Sequence, residues 1–545
     1  LVTFNTGNSG LSSSLVDFMT GKDVNDEKGT GNPAVSVLNT RPSIHGDVVH
    51  SRPLPINYGG DTGVIVYYGA NDGTLRAVEA STGKEKWAFI APEFFSRFAR
   101  LMTDSPKNNL PAIPGDAANK DYFFDGSIGF YQGANNSKVW IFPTMRRGGR
   151  MIYAFDVGTP DTPSLKWAVG CPNFSDDNGC TDGMSGIGQT WSAPRGARIK
   201  GYSQTAPVLI VGGGYDACED ENSKTPSCNN SKGRVVYVLN ADTGAIIKSF
   251  TFPGVAGIRS IAADVTLVDV DADGYVDYAY AADTAGNIYR MDFIDYDKTP
   301  RTPENWTGRR VAYTNGNPDD NGRKFLFGPA AFTTGGKAYL AIGSGDREHP
   351  LQTQYPFTDV VNRFYVYKDD LAVTAVDAAA IDLDGATMTN LTANTSCDDP
   401  PLLPNSTGRG WYMKLNQYGP GEQTVTSALI AGGMVNFSTN RPITNPNACS
   451  ASLGEARGYS VNLFNASGGV GVSDSCGGLR SGVFAGGGLP PSPVQATVPI
   501  NGRNVTVCIG CANENTGNSV IGANKVKFLV QPKRKRIYSY IKGDN

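Results

Sequence analysis

Val64-Ile-Val-Tyr-Tyr-Gly-Ala-Asn-Asp-Gly-Thr-Leu-Arg-Ala-Val-Glu-Ala-Ser-Thr-Gly-Lys-Glu-Lys-Trp-Ala-Phe-Ile90 reads as strand, Asn-Asp-Gly turn, strand, Thr-Gly turn, strand. Weaker echoes follow. They include VWIFPTMRRGGRMIYAFDV with LKWAVG, PVLIVGGGYDA with GRVVYVLNADTGAIIKSFTF, VDYAYAADTAGNIYRMDF, AYLAIGSGDRE with NRFYVYKDD, and ARGYSVNLFNASGGV. Each has an apolar strand ending in small residues, a glycine-rich turn, and an aromatic-bearing strand ending in Asp, Asn or Lys. Recurrence of one strand-turn-strand unit predicts an all-β propeller; a plain β-sandwich array is the alternative. Aromatic strands marked by Leu75, Tyr153, Tyr237, Tyr289, Tyr365, Tyr412 and Tyr459 predict seven blades, with uneven spacing absorbed by loop insertions and short helices.

Outward from that unit, residues 1–40 read as a lead-in segment with a helical patch at Leu15–Met19, and residues 41–545 as the propeller domain. Pro92–Met102 (PEFFSRFARLM) has proline at a helix start and apolar residues at helical spacing, so a helix is expected there. The 545 residues include 66 Gly and 33 Pro with only 18% charged, a composition of turns rather than long amphipathic helices. A formal net charge of −3 leaves no field to attract nucleic acid. No run of eighteen apolar residues occurs, so no membrane-spanning helix is expected. The chain opens LVTFNTGNSG without an initiating Met, and we read it as a mature or excised piece of a longer exported protein.

The chemistry concentrates at Asp269-Val-Asp271-Ala-Asp273-Gly274-Tyr275-Val-Asp277. Carboxylates at positions one, three, five and nine, with glycine at six and a backbone carbonyl at seven, form an oxygen-only donor set of the kind Ca²⁺ takes. The expected ligands of one Ca²⁺ site are therefore Asp269, Asp271, Asp273, Asp277 and the carbonyl of Tyr275. An EF-hand would carry glutamate at position twelve, where Tyr280 stands, and helices on either side. The flanks here, Val-Thr-Leu-Val and Tyr-Ala-Tyr-Ala, are strand-like, so the loop is expected inside a β-hairpin.

Other constellations are weaker. Nine cysteines occur, and the pairs Cys171/Cys180 and Cys218/Cys228 bracket polar loops suited to short disulfides; Cys508/Cys511 has zinc-like spacing but no second such pair. Cys397, Cys449 and Cys476 have no assigned connectivity, and one cysteine is left over. His45, Asp47, His50 and Ser51 crowd one stretch, yet a catalytic triad is defined by geometry and not by crowding. Gly212-Gly-Gly214 lacks the Lys-Ser/Thr of a phosphate loop. The Asp176-Asp177 and Asp319-Asp320 clusters read as solvated turns or weak metal sites. The basic run Lys533–Arg536 reads as charges guarding an apolar strand.

Ala77–Trp87 resembles the tryptophan-docking motif of quinoprotein propellers, in which the indole packs between blades. HGDVVHSRPL (45–54), VYYGANDGTLRAVEASTGKEKWAFIAPEFFSRF (66–98) and ADVTLVDVDADGYVDYAYAADTAGNIYRMD (263–292) together resemble the C-terminal domain of the PilC/PilY family of type IV pilus tip proteins. The resemblance implies a modified seven-bladed, quinoprotein-like propeller with one Ca²⁺ held by Asp269, Asp271, Asp273, Tyr275 and Asp277. It also implies a place at the pilus tip and bacterial outer surface, peripheral to the outer membrane. The implied work is pilus biogenesis against retraction, twitching motility and host-cell adherence, with pilus subunits or minor pilins and a host-cell receptor as partners. An Arg-Gly-Asp integrin triplet is missing, the nearest sequence being Gly345-Asp346-Arg347. Two readings of another class stand beside this: a periplasmic quinone-dependent oxidoreductase, and a carbohydrate-binding propeller using Tyr67, Tyr68, Trp140 and Trp191.

Overall fold

In the computed structural model each sequence repeat becomes an antiparallel meander. Residues 11–109, 117–229, 231–316, 321–393, 397, 401–443, 453–471, 477–512 and 523–526 are described. Cys449, Cys476, Asp319-Asp320 and Lys533–Arg536 lie outside them. The chain divides into two compact units: residues up to Thr314 with Lys324–Gly328 and Ala372–Ala380, and Asn315–Arg323 with Pro329–Leu371 and Ile381 onward.

The first unit contains four successive meanders, each built on four consecutive antiparallel strands. They are Leu54–Gly59, Gly63–Gly69, Thr74–Glu79, Glu85–Ile90; Ile128–Gln132, Val139–Pro143, Arg150–Asp156, Ser164–Cys171; Arg195–Ile199, Ser203–Gly212, Val236–Asn240, Ile246–Phe250; and Thr266–Val268, Tyr278–Ala282, Asn287–Asp292, Thr307–Tyr313. Hydrophobic alternation explains Gly63–Gly69, where Ile65 and Tyr67 are fully buried while their neighbours are half-buried. Central strands are buried on both faces, as in Tyr278–Ala282.

Turn chemistry repeats too. Asp72 accepts the Thr74 N–H at 3.0 Å beside Gly73, and Asp283 accepts the N–H groups of Ala285 and Asn287 beside Gly286. Both glycines are left-handed, with φ of +96° and +83°, a conformation that the missing side chain permits.

Tryptophans join consecutive sheets. Trp87 Nε1 donates to Pro160 O at 2.8 Å, with its ring 6.2 Å from that of Phe155, and Trp167 Nε1 donates to Ala241 O at 3.1 Å. The docking arrangement read from Ala77–Trp87 is present, and Trp167 is a second copy hidden by its looser sequence. The helix Ser13–Met19 packs Leu15, Phe18 and Met19 into the same apolar cluster as Ile65, Leu75 and Phe94.

Pro92–Met102 differs in detail from expectation. A 3₁₀ stretch, Pro92–Arg97, precedes a short α-helix, Phe98–Thr103. Phe94 is inserted edge-on between Phe123 and Phe124, each 5.1 Å away, and Arg97 donates to the carbonyls of Tyr122 and Gly148. These tertiary contacts outweigh the intrinsic preference of six residues for α geometry.

The second unit holds Ala330–Thr334, Lys337–Gly343, Arg363–Asp370 and Gly410–Lys414, extended by Met388–Asn390 in parallel; Gln423–Thr424, Met434–Arg441, Glu455–Asn462 and Ser481–Val483; and a three-stranded sheet Val494–Ile500, Arg503–Ile509, Ala523–Lys525. Tyr365 and Tyr412 are direct cross-strand partners. The seven markers, Leu75 and six tyrosines, therefore fall on six sheets: an aromatic on each of two adjacent strands mimics two blades. Trp411 Nε1 donates to Leu463 O at 2.9 Å, repeating the tryptophan link in this unit. Disulfides join Cys171 to Cys180, Cys218 to Cys228 and Cys508 to Cys511, which removes the zinc reading of the last pair.

Candidate metal centre

Val268 and Tyr278 face each other across the hairpin of the fourth sheet, so Asp269–Asp277 is the loop that closes it. Two left-handed residues reverse the chain, Gly274 at φ +88° and Ala272 at φ +58°. Gly274 was legible as the turn residue; Ala272 carried no such signal. Backbone donors then fix the side chains. Asp269 accepts from the N–H groups of Asp273 at 3.2 Å and Gly274 at 2.8 Å, and Asp273 accepts from Tyr275 N–H at 2.9 Å.

As a result Asp269, Asp271 and Asp273 each offer a carboxylate oxygen, all within 4.8 Å of one another. Oxygens around one hard cation at about 2.3–2.6 Å lie no more than about 5 Å apart, so the spacing fits. Asp277 lies outside that trio: it is buried, and its Oδ2 accepts the Val270 N–H at 2.8 Å. The Tyr275 ring lies between Arg198 and Lys200, 5.6 and 5.4 Å from its centroid, and its hydroxyl donates to Gln204 O at 3.4 Å.

Burial, with the charges of Asp271, Asp269 and Asp273 behind it, pushes the Asp277 carboxyl up to about 6, against the pull of the Val270 N–H. Asp273 moves the other way. Its hydrogen bond to Lys200, seconded by Tyr275 N–H, lowers it, and the same pairing raises Lys200. Lys298 Nζ contacts Asp271 Oδ2 at 3.0 Å. Sequence reading missed both lysines, since each lies far along the chain from its partner and belongs to no motif.

The other candidates resolve as structure. Sulfurs of Cys171 and Cys180 approach Asp177, but both are consumed in their disulfide, and Asp177 is held by Lys232 and Arg150. His50 pairs with the buried Asp125 at 2.6 Å, Asp47 pairs with Lys120, and the Ser51 hydroxyl accepts from Gly69 N–H, so these residues form no triad. The N–H groups of Gly212, Gly213 and Gly214 are spent on Ser192, Val235 and Ile261. Tyr67, Trp140 and Trp191 are buried, which withdraws them as a saccharide platform.

Residues 60–316, which include the acidic loop, match the family model described as the PilY1 beta-propeller domain. The type IV pilus biogenesis factor PilY1 of Pseudomonas aeruginosa strain UCBPP-PA14 is 29% identical over 281 residues, covering 47% of this chain and 21% of that protein. The crystal structure of the Pseudomonas aeruginosa PilY1 C-terminal domain superposes with a TM-score of 0.55 at 18% identity, covering 85% of this chain and 92% of that one.

Over residues 60–316 the chain is similar to the PilC/PilY family.

A PilY1 homolog of Xylella fastidiosa extends the match to 506 residues at 24% identity, covering 87% of this chain and 36% of the relative. The chain thus spans about a fifth of the first Pseudomonas relative and about a third of this one. The expected fold class is met: an all-β architecture of propeller type.

Proposed function

We propose that this chain is the propeller part of a type IV pilus biogenesis factor, working at the outer cell surface as a structural and adhesive module rather than as an enzyme. Similarity to the PilY1 beta-propeller domain over residues 60–316, and the pilus-biogenesis role of the Pseudomonas relatives, support the pilus assignment. Pilus subunits or minor pilins and a host-cell receptor are the partners this reading names, and extension against retraction, twitching and adherence are the processes it would serve.

The observation that carries the regulatory half is the convergence of Asp269, Asp271 and Asp273 within 4.8 Å in a hairpin loop. Oxygen donors alone, arranged on a tight turn, favour Ca²⁺ over softer metals. Asp277 and the Tyr275 carbonyl complete the proposed set. Bound there, the ion would neutralise the crowded carboxylates. The chain's own part is to hold the loop: Val276 N–H donates to Arg198 O, Asp277 N–H to Val268 O and Phe293 N–H to Asp277 O, which places the turn between neighbouring strands.

The test is a calorimetric Ca²⁺ titration of the chain and its Asp273→Ala variant, then piliation counts in an Asp273→Ala strain with retraction intact and deleted. Loss of binding in the variant, with fewer pili only when retraction operates, is expected. Unchanged binding, or equal piliation in both backgrounds, overturns the reading.

A further inference from the structure

Two lysines from different sheets cover the acidic loop. Lys298 sits in the turn after Asn287–Asp292, itself left-handed at φ +71°, and its Nζ lies 3.0 Å from Asp271 Oδ2. Lys200 sits in the turn between Arg195–Ile199 and Ser203–Gly212 and donates to Asp273 Oδ2. The loop is fastened to that second turn by Val276 N–H to Arg198 O at 2.8 Å and by the Tyr275 hydroxyl to Gln204 O. Lys200 is therefore delivered by a hairpin already fastened to the loop, and the Lys298 turn is closed by its own N–H donating to Asp295 O at 2.9 Å.

We infer that Lys200 and Lys298 are resident counter-ions, which compete with the cation for the outer oxygens of Asp273 and Asp271 and so set the calcium concentration at which the loop loads. The inference rests on the calcium reading of the loop. An oxygen that accepts an ammonium N–H directs a lone pair at that proton, and a cation bound in the same cluster needs lone pairs of the same oxygens. Two positive charges beside a divalent ion also raise its energy. Without the ion, the same two charges relieve the mutual repulsion of the three carboxylates. The lysines thus favour the empty loop and disfavour the loaded one. An ordinary surface ion pair would support both states equally.

The experiment compares the 545-residue chain with a Lys200→Met/Lys298→Met variant, and with Lys166→Met as a charge control that removes the remote pair to Asp242 at 2.6 Å. CaCl₂ is titrated by calorimetry at low and high NaCl, and thermal unfolding is followed with and without Ca²⁺. The double variant should bind Ca²⁺ about five- to tenfold tighter at low ionic strength, with the gain shrinking as salt screens it. Its metal-free Tm should fall while its calcium-saturated Tm does not. Equal or weaker affinity, or the same gain from Lys166→Met, overturns the inference. A wild-type chain that takes up no Ca²⁺ overturns the calcium reading and this inference with it; binding by wild type with no change in the variant overturns the inference alone.

Discussion

Trp87 on the outer strand of the first sheet donates its indole N–H to the carbonyl oxygen of Pro160, 2.8 Å away in the second sheet. Trp167 does the same one sheet later, reaching Ala241, and Lys248 on the outer strand of the third sheet reaches Glu304 O at 3.3 Å. At each of these boundaries a side chain thus donates a directed bond to a backbone carbonyl of the next sheet.

Truncating such a link should be costly. Trp167 is 8% exposed, stacks 5.8 Å from Phe142 and contributes to the cluster containing Val211 and Leu239. Trp167→Ala should destabilise by about 3–5 kcal/mol in urea unfolding, and Trp167→Phe by about 1–2 kcal/mol, because the ring is partly kept while the Ala241 carbonyl loses its donor. An alanine variant within about 1 kcal/mol of wild type would contradict the role assigned to it.

Calcium should stabilise the folded chain. At a hundredfold excess over Kd, an ion binding only the native loop adds about 2.7 kcal/mol. Asp271→Asn removes one clustered carboxylate, and its thermal shift on adding Ca²⁺ should shrink relative to wild type. Chelator should reverse the wild-type shift. Magnesium should do less, since it demands a tighter octahedral shell.

Glu422 predicts a pH dependence in the second unit. It is 2% exposed, accepts from Thr439 and Tyr459 at 2.8 and 2.7 Å, and burial raises its pKa. A carboxyl raised by folding contributes stability that is present in full below its unfolded pKa of about 4.3 and is lost as pH rises through the folded value. Glu422→Gln keeps an acceptor for both hydroxyls without the charge. Its Tm should exceed that of wild type at pH 8, and the difference should vanish near pH 4. A lower Tm for the variant at pH 8 would argue against this.

The Cys171–Cys180 disulfide closes a short polar loop at the end of Ser164–Cys171. Replacing both cysteines by alanine should cost about 2–3 kcal/mol by the chain-entropy relation for a loop of this length. Thermal unfolding of the double variant checks it, and an unchanged Tm would show that neighbouring contacts order the loop unaided.

What the sequence by itself determined is local and periodic. Alternation in Val64–Ile90, the Asn-Asp-Gly and Thr-Gly turns and the spacing of Asp269, Asp271, Asp273 and Gly274 are set by pleat, φ preference and donor chemistry, all within a few residues of chain. The hairpin setting of the acidic loop followed from its strand-like flanks. Tertiary structure decided everything that depends on which surfaces meet. It put Tyr365 and Tyr412 on one sheet, turned half of an expected helix into 3₁₀ under Phe94, buried Tyr67, Trp140 and Trp191, and buried Asp277 with its carboxylate on the Val270 N–H. It also brought Lys298 and Lys200 to Asp271 and Asp273 across 27 and 73 residues of chain. A short side-chain motif records the ligands that one turn can gather, whereas the charges that oppose or replace an ion come from another turn of the same sheet and from the neighbouring sheet, and no periodicity in the chain encodes their approach.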